Sequence, residues 1–328
     1  MDLDLTEDQE SIREVFADFF SSETGPEQAR EAEPLGFDSR AWDRLLETGA
    51  PGMGVAESSG GGGANLADLA VVVEEAGAHI AALPLVDHMV TTRLLARVGA
   101  CDDDVLAGTT IVGLAIRPPQ DGTARTVPSG AVARQVVALD GDALVLVDSD
   151  PGAHLQNHGC LPLAHRPLAG ATVLAKGPDA AAAYRLALDE WRTLTASTLV
   201  GITRTALDLG VDYARERRQF GRPIGSFQAI QHHCANMATD VEGSRYLTYQ
   251  AAWRLSEGLP AEREVAMAKA WVSEAYRRVC ALGHQCHGAI GFTKEHDMQL
   301  YSRRAKAAEL AFGDSDFYLE QVAQSIGL

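Results

Sequence analysis

The spacing of hydrophobic and polar residues changes twice along the chain. Residues 1–107 and 179–328 carry apolar residues every three or four positions, which is typical of amphipathic helices. Residues 108–178 instead contain short β-branched runs separated by Gly, Asp and Pro, which is typical of strands joined by turns. The pattern predicts a mainly α protein with a small β domain in the middle.

The first helix is predicted from its start signal. Thr6 and Gln9 have the spacing of a capping box, in which two side chains satisfy the free N–H groups that open a helix. Ile12, Val15 and Phe19 follow at helical spacing, so we expect these three side chains to face the core.

Further helices are predicted in the same N-terminal region. Asp38 precedes an amphipathic segment that ends at residue 46, and two apolar segments cover residues 66–79 and 85–98. Gly99 follows the last of them as a helix stop. We therefore expect residues 1–107 to form a helical domain.

The middle region is predicted to form a short β domain over residues 108–178. Its candidate strands are residues 111–116, 131–138 and 143–147, with a hairpin turn at Gly141-Asp142.

The C-terminal region, residues 179–328, is predicted to be a bundle of four antiparallel helices. Helix breaks are expected at residues 222–225 and 258–260, where Pro and Gly occur. Three apolar stripes support the bundle: Leu199, Ile202, Ala206 and Leu209; Ile230, Cys234, Met237 and Val241; and Val265, Ala268, Val272, Ala275 and Val279.

Composition and charge exclude several classes of function. The 328 residues are 46% hydrophobic and 22% charged, and the formal net charge is −17. A sequence-independent nucleic-acid binder needs dense Lys and Arg, so this charge argues against one. No apolar run approaches the roughly 20 residues that span a membrane, and the acidic start Met-Asp-Leu-Asp-Leu-Thr is not a signal peptide.

The five cysteines are odd in number and scattered, so no disulfide framework is predicted and a cytoplasmic location is expected. Cys280, His284, Cys286 and His287 lie close together in the sequence. Their spacing is irregular for a metal site and no second ligand cluster accompanies them, so we predict no metal.

Two segments near the C-terminus carry a family resemblance. The first runs from Arg215 to Gln231 and contains Arg-Glu-Arg-Arg-Gln-Phe-Gly-Arg-Pro-Ile-Gly. The second is Gln285-Cys-His-Gly-Ala-Ile-Gly-Phe292. Both resemble the FAD-contacting motifs of the acyl-CoA dehydrogenase family, and the helical, β, helical order of this chain is similar to that family's architecture.

The resemblance implies a role for several residues. Arg217 would pair with the pyrophosphate of FAD, because a guanidinium forks onto phosphate oxygens. Phe220 would pack on the cofactor and Gln228 would hydrogen-bond it. The second motif implies three more contacts in a glycine loop, where position 289 is usually glycine in the family: Gln285, Gly288 and Ala289.

The family's catalytic base is missing at its usual positions. Alignment of Arg303-Arg-Ala-Lys306 with the family pattern puts Phe312 where many members have Glu, and other members carry that Glu where this chain has Trp191. Neither side chain can accept a proton from the carbon α to a thioester. Glu190, Asp314 and Glu309 remain alternative bases.

The β domain is also short, and it lacks the family's Leu-x-Gly-x-Lys-x-Trp-Ile-Thr-like segment between Ile111 and Lys176. Together the two losses resemble the degenerate subunit of the α2β2 heteromeric acyl-CoA dehydrogenases of bacterial steroid side-chain degradation. The resemblance implies a partner subunit that supplies the base and the flavin pocket, an acyl-CoA substrate and electron-transfer flavoprotein as acceptor.

Two other interpretations stay open. The first is a self-sufficient homo-oligomeric dehydrogenase with a relocated base, which would bind one FAD per chain. The second is a scaffold of the same fold that binds acyl-CoA without catalysis, which would bind no FAD even with a partner.

Overall fold

The computed structural model describes residues 4–311 and 313–328, and it shows a mainly helical protein with a small β region. The predicted fold class is confirmed. The helices are α1 (Glu7–Glu23), α2 (Pro26–Glu31), α3 (Ser39–Leu46), α4 (Leu66–Ala78), α5 (Leu85–Arg97), α6 (Asp103–Ala107), α7 (Pro178–Glu216), α8 (Gln228–Ser256), α9 (Glu262–His287), α10 (Met298–Leu310) and α11 (Ser315–Ser325). The strands are β1 (Val112–Leu114), β2 (Thr123–Val127), β3 (Gln135–Asp140), β4 (Ala143–Asp148), β5 (Ala164–Pro167), β6 (Thr172–Lys176), β7 (Arg218–Gln219) and β8 (Arg222–Pro223).

Helix α1 begins as predicted but turns a different face to the core. The Thr6 hydroxyl accepts a hydrogen bond from the Gln9 N–H, and the Gln9 side chain returns the bond, so the capping box is confirmed. Val15 was expected in the core and is 60% exposed, which makes that prediction wrong. Phe16 and Phe20, four residues apart, are the buried residues instead, because i and i+4 share one helix face.

The other N-terminal helices agree with their start and stop signals. The Asp38 carboxylate accepts a hydrogen bond from the Ala41 N–H at 3.0 Å and so caps α3. Gly99 follows α5 with a φ of +69°, in the left-handed region where glycine is favoured. The short helices α2 and α6 were not predicted, although Asp102 caps α6 at the Val105 N–H.

The β region forms a four-stranded sheet in the order β1-β3-β4-β6 and a separate pair of β2 with β5. The predicted hairpin is confirmed, since Asp140 pairs with Ala143 across Gly141-Asp142. The predicted strand over 131–138 starts only at Gln135, because the backbone turns before it, where the Val132 and Ala133 N–H groups donate to the Ser129 carbonyl. Strands β2, β5 and β6 were missed.

The chain groups into two compact units. The first contains Met1–Pro26, Ala70–Ala81 and Thr193–Leu328, and the second contains Glu27–Leu69 and Ala82–Arg192. Helices α4 and α7 each contribute residues to both units.

Within the first unit, α4 and α7 lie in backbone contact. A Cβ at Gly201 would come within 1.9 Å of the Glu74 carbonyl oxygen, so only glycine allows this approach. Arg204 on α7 stabilises this helix contact, because its guanidinium lies 2.8 Å from both the Glu74 and the Glu75 carboxylates of α4. The bidentate arrangement fixes the angle between the two helices.

Helix α9 is central to the C-terminal helices and packs against α8, α10 and α11. Its predicted stripe is buried throughout, from Val265 to Val279, which confirms the predicted phase of this helix. Among the described residues, no helix combines the length and apolar character needed to cross a bilayer.

Candidate cofactor-binding and active-site residues

The arginine motif forms an exposed turn after α7. Strands β7 and β8 pair as a two-stranded hairpin, with Phe220 and Gly221 at its tip. Phe220 has a φ of +51°, rare for a bulky residue, and is 90% exposed. An aromatic side chain held out in a strained turn indicates a surface that another molecule covers.

Three of the four arginines in this turn are engaged by the chain itself. The Arg215 guanidinium lies 3.2 Å from the Asp212 carboxylate, and that of Arg222 lies 4.1 Å from the Phe227 ring centroid. Arg218 donates to the Gly221 carbonyl at 3.4 Å. Within residues 4–311 and 313–328, Arg217 is exposed and its guanidinium forms no ion pair. Of the four, Arg217 is therefore available for an external anion.

Helix α8 starts directly after this turn. Gln228 is its first residue and is exposed, and the N-cap residue Phe227 makes no side-chain capping bond. The first N–H groups of a long helix carry partial positive charge and favour an anionic ligand. An exposed amide, an uncapped helix start and Arg217 therefore occur in one short stretch of chain.

The glycine loop forms a 3₁₀ turn, Gly288–Phe292, at the end of α9. Gly288 has φ +66° and ψ −147°, which is a conformation essentially restricted to glycine. A Cβ built there would meet nothing within 4 Å, so the backbone faces open space. Gln285 and Ala289 are exposed beside it.

The two motifs lie at the same end of the first unit. The Tyr213 ring, one turn before Arg217, packs on the His287 ring with 4.6 Å between centroids. His287 immediately precedes Gly288. The structure thus brings the arginine turn and the glycine loop close together.

These residues fit the anionic half of a dinucleotide. They offer an unpaired guanidinium, an uncapped helix start, exposed amides and a glycine backbone with open space above it. Phosphate recognition uses the same kinds of group. The arrangement therefore fits the pyrophosphate side of FAD.

Trp191, at one of the two positions where the family carries its base, lies in the second unit and is buried. Trp191 is 4% exposed, and its indole N–H donates to the Asp87 carboxylate at 2.7 Å. Burial raises the pKa of Asp87 to about 7, and the bond from Trp191 opposes that rise only in part. Sequence reasoning missed Asp87, which lies 104 residues from Trp191.

Glu190, the neighbouring alternative base, is held by two arginines. Its Oε1 accepts bonds from Arg93 at 2.8 Å and from Arg97, and Arg93 also donates to the Gly54 carbonyl. Burial by itself would raise the pKa of Glu190, but the two guanidinium groups outweigh it and hold the pKa below its usual value. A carboxylate so strongly stabilised as an anion is a poor proton acceptor.

The remaining candidates also have local partners. Asp314 caps α11 by accepting a hydrogen bond from the Phe317 N–H at 3.1 Å. Glu309 is buried and accepts bonds from Tyr276, at 3.2 Å, and from Lys306. Phe312 lies outside the described residues.

The cysteine and histidine cluster makes contacts within the protein. The His284 ring contacts the Ser302 hydroxyl at 2.7 Å, and the His287 Nδ1–H donates to the Gly283 carbonyl at 2.7 Å. No group of three or more potential ligands in the described part of the chain has the arrangement of a metal site.

Comparison with known proteins identifies the class. The family model described as acyl-CoA dehydrogenase, N-terminal domain, matches residues 6–102, and the model for the C-terminal domain matches residues 181–327. Acyl-CoA dehydrogenase IpdE2 of Mycolicibacterium smegmatis is 32% identical over 313 residues, which cover 94% of this chain and 96% of that protein.

Two solved structures share the fold along almost the whole chain. A chain of the ChsE4-ChsE5 complex from Mycobacterium tuberculosis superposes with a TM-score of 0.88 and 27% identity, covering 99% of both chains. A chain of the Tcur3481-Tcur3483 steroid ACAD G363A variant gives a TM-score of 0.87 and 26% identity, covering 98% of both.

The chain belongs to the acyl-CoA dehydrogenase family. This assignment confirms the predicted class, an FAD-dependent oxidoreductase that acts on acyl-CoA thioesters.

Proposed function

We propose that this chain is the base-lacking subunit of a heteromeric acyl-CoA dehydrogenase, and that it holds FAD for a partner subunit that supplies the catalytic carboxylate. The proposal rests on one observation: residues 190 and 191 are both buried and bonded within the protein. Trp191 is buried and donates a hydrogen bond to Asp87, and the Glu190 carboxylate forms ion pairs with Arg93 and Arg97.

In this proposal the chain's own residues bind and orient the cofactor. Arg217 forks onto the pyrophosphate, Phe220 covers an apolar edge and Gln228 donates from its amide. Three residues of the second motif line the pyrophosphate side: Gln285, Gly288 and Ala289. Bound FAD supplies the acceptor for the hydride that leaves the β carbon of the acyl group.

The exposed apolar side chains support a second chain at this end of the helices. Phe220 is 90% exposed, Phe292 is 70% exposed and Ile290 is 48% exposed. Isolated exposed apolar residues are ordinary, but three of them within the two predicted cofactor motifs favour an interface. We propose that this partner is a second acyl-CoA dehydrogenase subunit in an α2β2 assembly.

The substrate and the acceptor are proposed from the relatives. The structural relatives are a chain of the two-protein ChsE4-ChsE5 complex and a chain of a steroid ACAD. We therefore propose a steroid side-chain CoA thioester as substrate. The family resemblance supports electron-transfer flavoprotein as acceptor, and the sequence pattern supports residues 108–178 as a shortened middle domain.

The experiment that tests this function is an assay of acyl-CoA dehydrogenation with an artificial electron acceptor. The chain alone, a candidate partner subunit alone and the co-expressed pair are compared at equal concentration. We expect turnover only from the pair. Turnover by this chain alone would contradict the proposal and favour a self-sufficient enzyme with a relocated base.

A further inference from the structure

His287 belongs to the glycine-loop motif, and its ring lies against Tyr213, two residues before the arginine motif. It is 5% exposed, on the last turn of α9. Its Nδ1–H donates to the Gly283 carbonyl at 2.7 Å, which fixes the orientation of the ring. One ring contact is with Tyr213, and a second, edge-on, is with His296 at 4.5 Å between centroids.

On the α7 side, His287 reaches Arg217 through a single residue. The Tyr213 ring packs on His287, and the carbonyl of the same Tyr213 accepts the hydrogen bond of the Arg217 N–H at 2.8 Å. Tyr213 therefore links the His287 ring to the backbone of Arg217, the residue directly after α7 that carries the guanidinium.

On the loop side, His287 supports the glycine turn from beneath. It is bonded to Gly288, and a Cβ at Gly291 would come within 2.9 Å of the His287 Cβ. His284, one turn earlier, stacks on Phe292 with 4.2 Å between centroids and an interplanar angle of 15°. The 3₁₀ turn thus packs against two histidine side chains of α9.

We propose that His287 is a positioning residue for FAD: its ring couples the arginine turn to the glycine loop, so that Arg217 and Gly288 grip the pyrophosphate together. This inference rests on the proposed function. It assigns no contact between His287 and the cofactor, because the ring acts through Tyr213 and Gly288.

The test measures the FAD dissociation constant of the co-expressed complex by flavin fluorescence. His287→Ala removes the ring, and we expect FAD to bind roughly tenfold more weakly, the effect of one lost aromatic contact. His287→Phe keeps a ring against Tyr213, and we expect an affinity within about threefold of wild type. The matched control is His154→Ala, since His154 contacts a backbone carbonyl in the other unit.

A double-mutant cycle separates positioning from general structural damage. If His287 acts in part through Arg217, then His287→Ala should weaken FAD binding less in the Arg217→Gln complex than in the wild-type complex. Additive losses, or equal losses for His287→Ala and His287→Phe, would overturn the inference. A wild-type complex without FAD would overturn the proposed function itself, so the two failures are distinguishable.

Discussion

Two regions of the chain differ in whether their polar side chains are exposed or are buried with partners. At the end of the first unit, Arg217 and Gln228 are exposed and the start of α8 is uncapped. In the second unit, Glu190 and Trp191 are buried, and each is engaged by partners from α5. In the first region polar groups remain available to bind another molecule. In the second region they are already bonded within the protein.

The difference is what the proposed function expects of a subunit that binds the cofactor and leaves proton abstraction to its partner. A general base needs a carboxylate that faces the substrate with a pKa suited to the proton transfer. Here α5 supplies two arginines to one carboxylate and a carboxyl to the indole beside it. In the proposed function, the exposed end of the first unit is therefore the part of this chain that binds FAD.

The largest expected effect is the loss of stability when the buried ion pairs of Glu190 are removed. Glu190→Gln removes the counter-charge of Arg93 and Arg97, and we expect the free energy of unfolding at pH 7 to fall by about 3–5 kcal/mol. Because the folded-state pKa of Glu190 lies below its ordinary 4.5, its stabilisation is present above pH 4.5 and is lost as the pH falls through the folded-state pKa. Denaturant unfolding measures this loss.

The matched control for that experiment is Glu47→Gln, since Glu47 forms an exposed pair with Arg44 at 2.9 Å. We expect a loss of less than about 1 kcal/mol there. Turnover per FAD of the co-expressed complex should not depend on Glu190. A large fall in kcat with unchanged stability would identify Glu190 as the base and contradict our account.

The next largest effect tests the exposed region at Arg217. Arg217→Gln removes a charge-assisted contact to phosphate, and we expect FAD to bind the complex about thirtyfold more weakly, or about 2 kcal/mol. Arg215→Gln is the control, because Arg215 already pairs with Asp212. Equal losses from both variants would show that the basic turn acts only through its overall charge.

Asp87 gives an effect of similar size, but on stability and with a defined pH dependence. Its folded-state pKa of about 7 exceeds the ordinary 3.8, so the folded protein retains a proton that the unfolded chain releases, and stability falls as the pH rises between these values. Asp87→Asn keeps an oxygen for Trp191 and cannot titrate. Between pH 5.5 and 8, we expect wild type to lose about 2 kcal/mol more than the variant. Parallel pH profiles would show that Asp87 is ionised in the folded protein.

The smallest effect compares the neighbours Gly288 and Ala289. Gly288→Ala forces a Cβ into a glycine-only conformation, and we expect a loss of about 1–2 kcal/mol in stability, with weaker FAD binding. Ala289→Gly restores the residue that is usual in the family and should change FAD affinity by less than about threefold. A large gain from Ala289→Gly would mean that the methyl group obstructs the cofactor.

Local signals predicted most of the helices. Thr6 and Asp38 cap the helices they were expected to open, and the α9 stripe has the predicted phase, because caps and periodicity act within a few residues. Val15 failed because two overlapping apolar faces were available on α1. Strand β6, Thr172–Lys176, was missed because it is largely exposed and has no alternating pattern.

The site was only partly predictable for a related reason. The exposed residues Arg217, Phe220 and Gly288 lie in two contiguous motifs, which a sequence displays directly. The partners of Glu190 and Trp191 come from α5, about a hundred residues earlier in the chain. Such pairings depend on tertiary packing, and no spacing rule in the sequence specifies them.

The FAD content of the purified protein tests the central claim most directly. Flavin absorbance is measured for this chain purified alone and for the chain co-expressed with a second acyl-CoA dehydrogenase subunit. Our account predicts no FAD on the isolated chain and about one FAD per heterodimer, half the number expected for a homo-oligomer of complete subunits. One FAD per chain in the isolated protein would contradict it, and no FAD in either sample would favour a non-enzymatic scaffold.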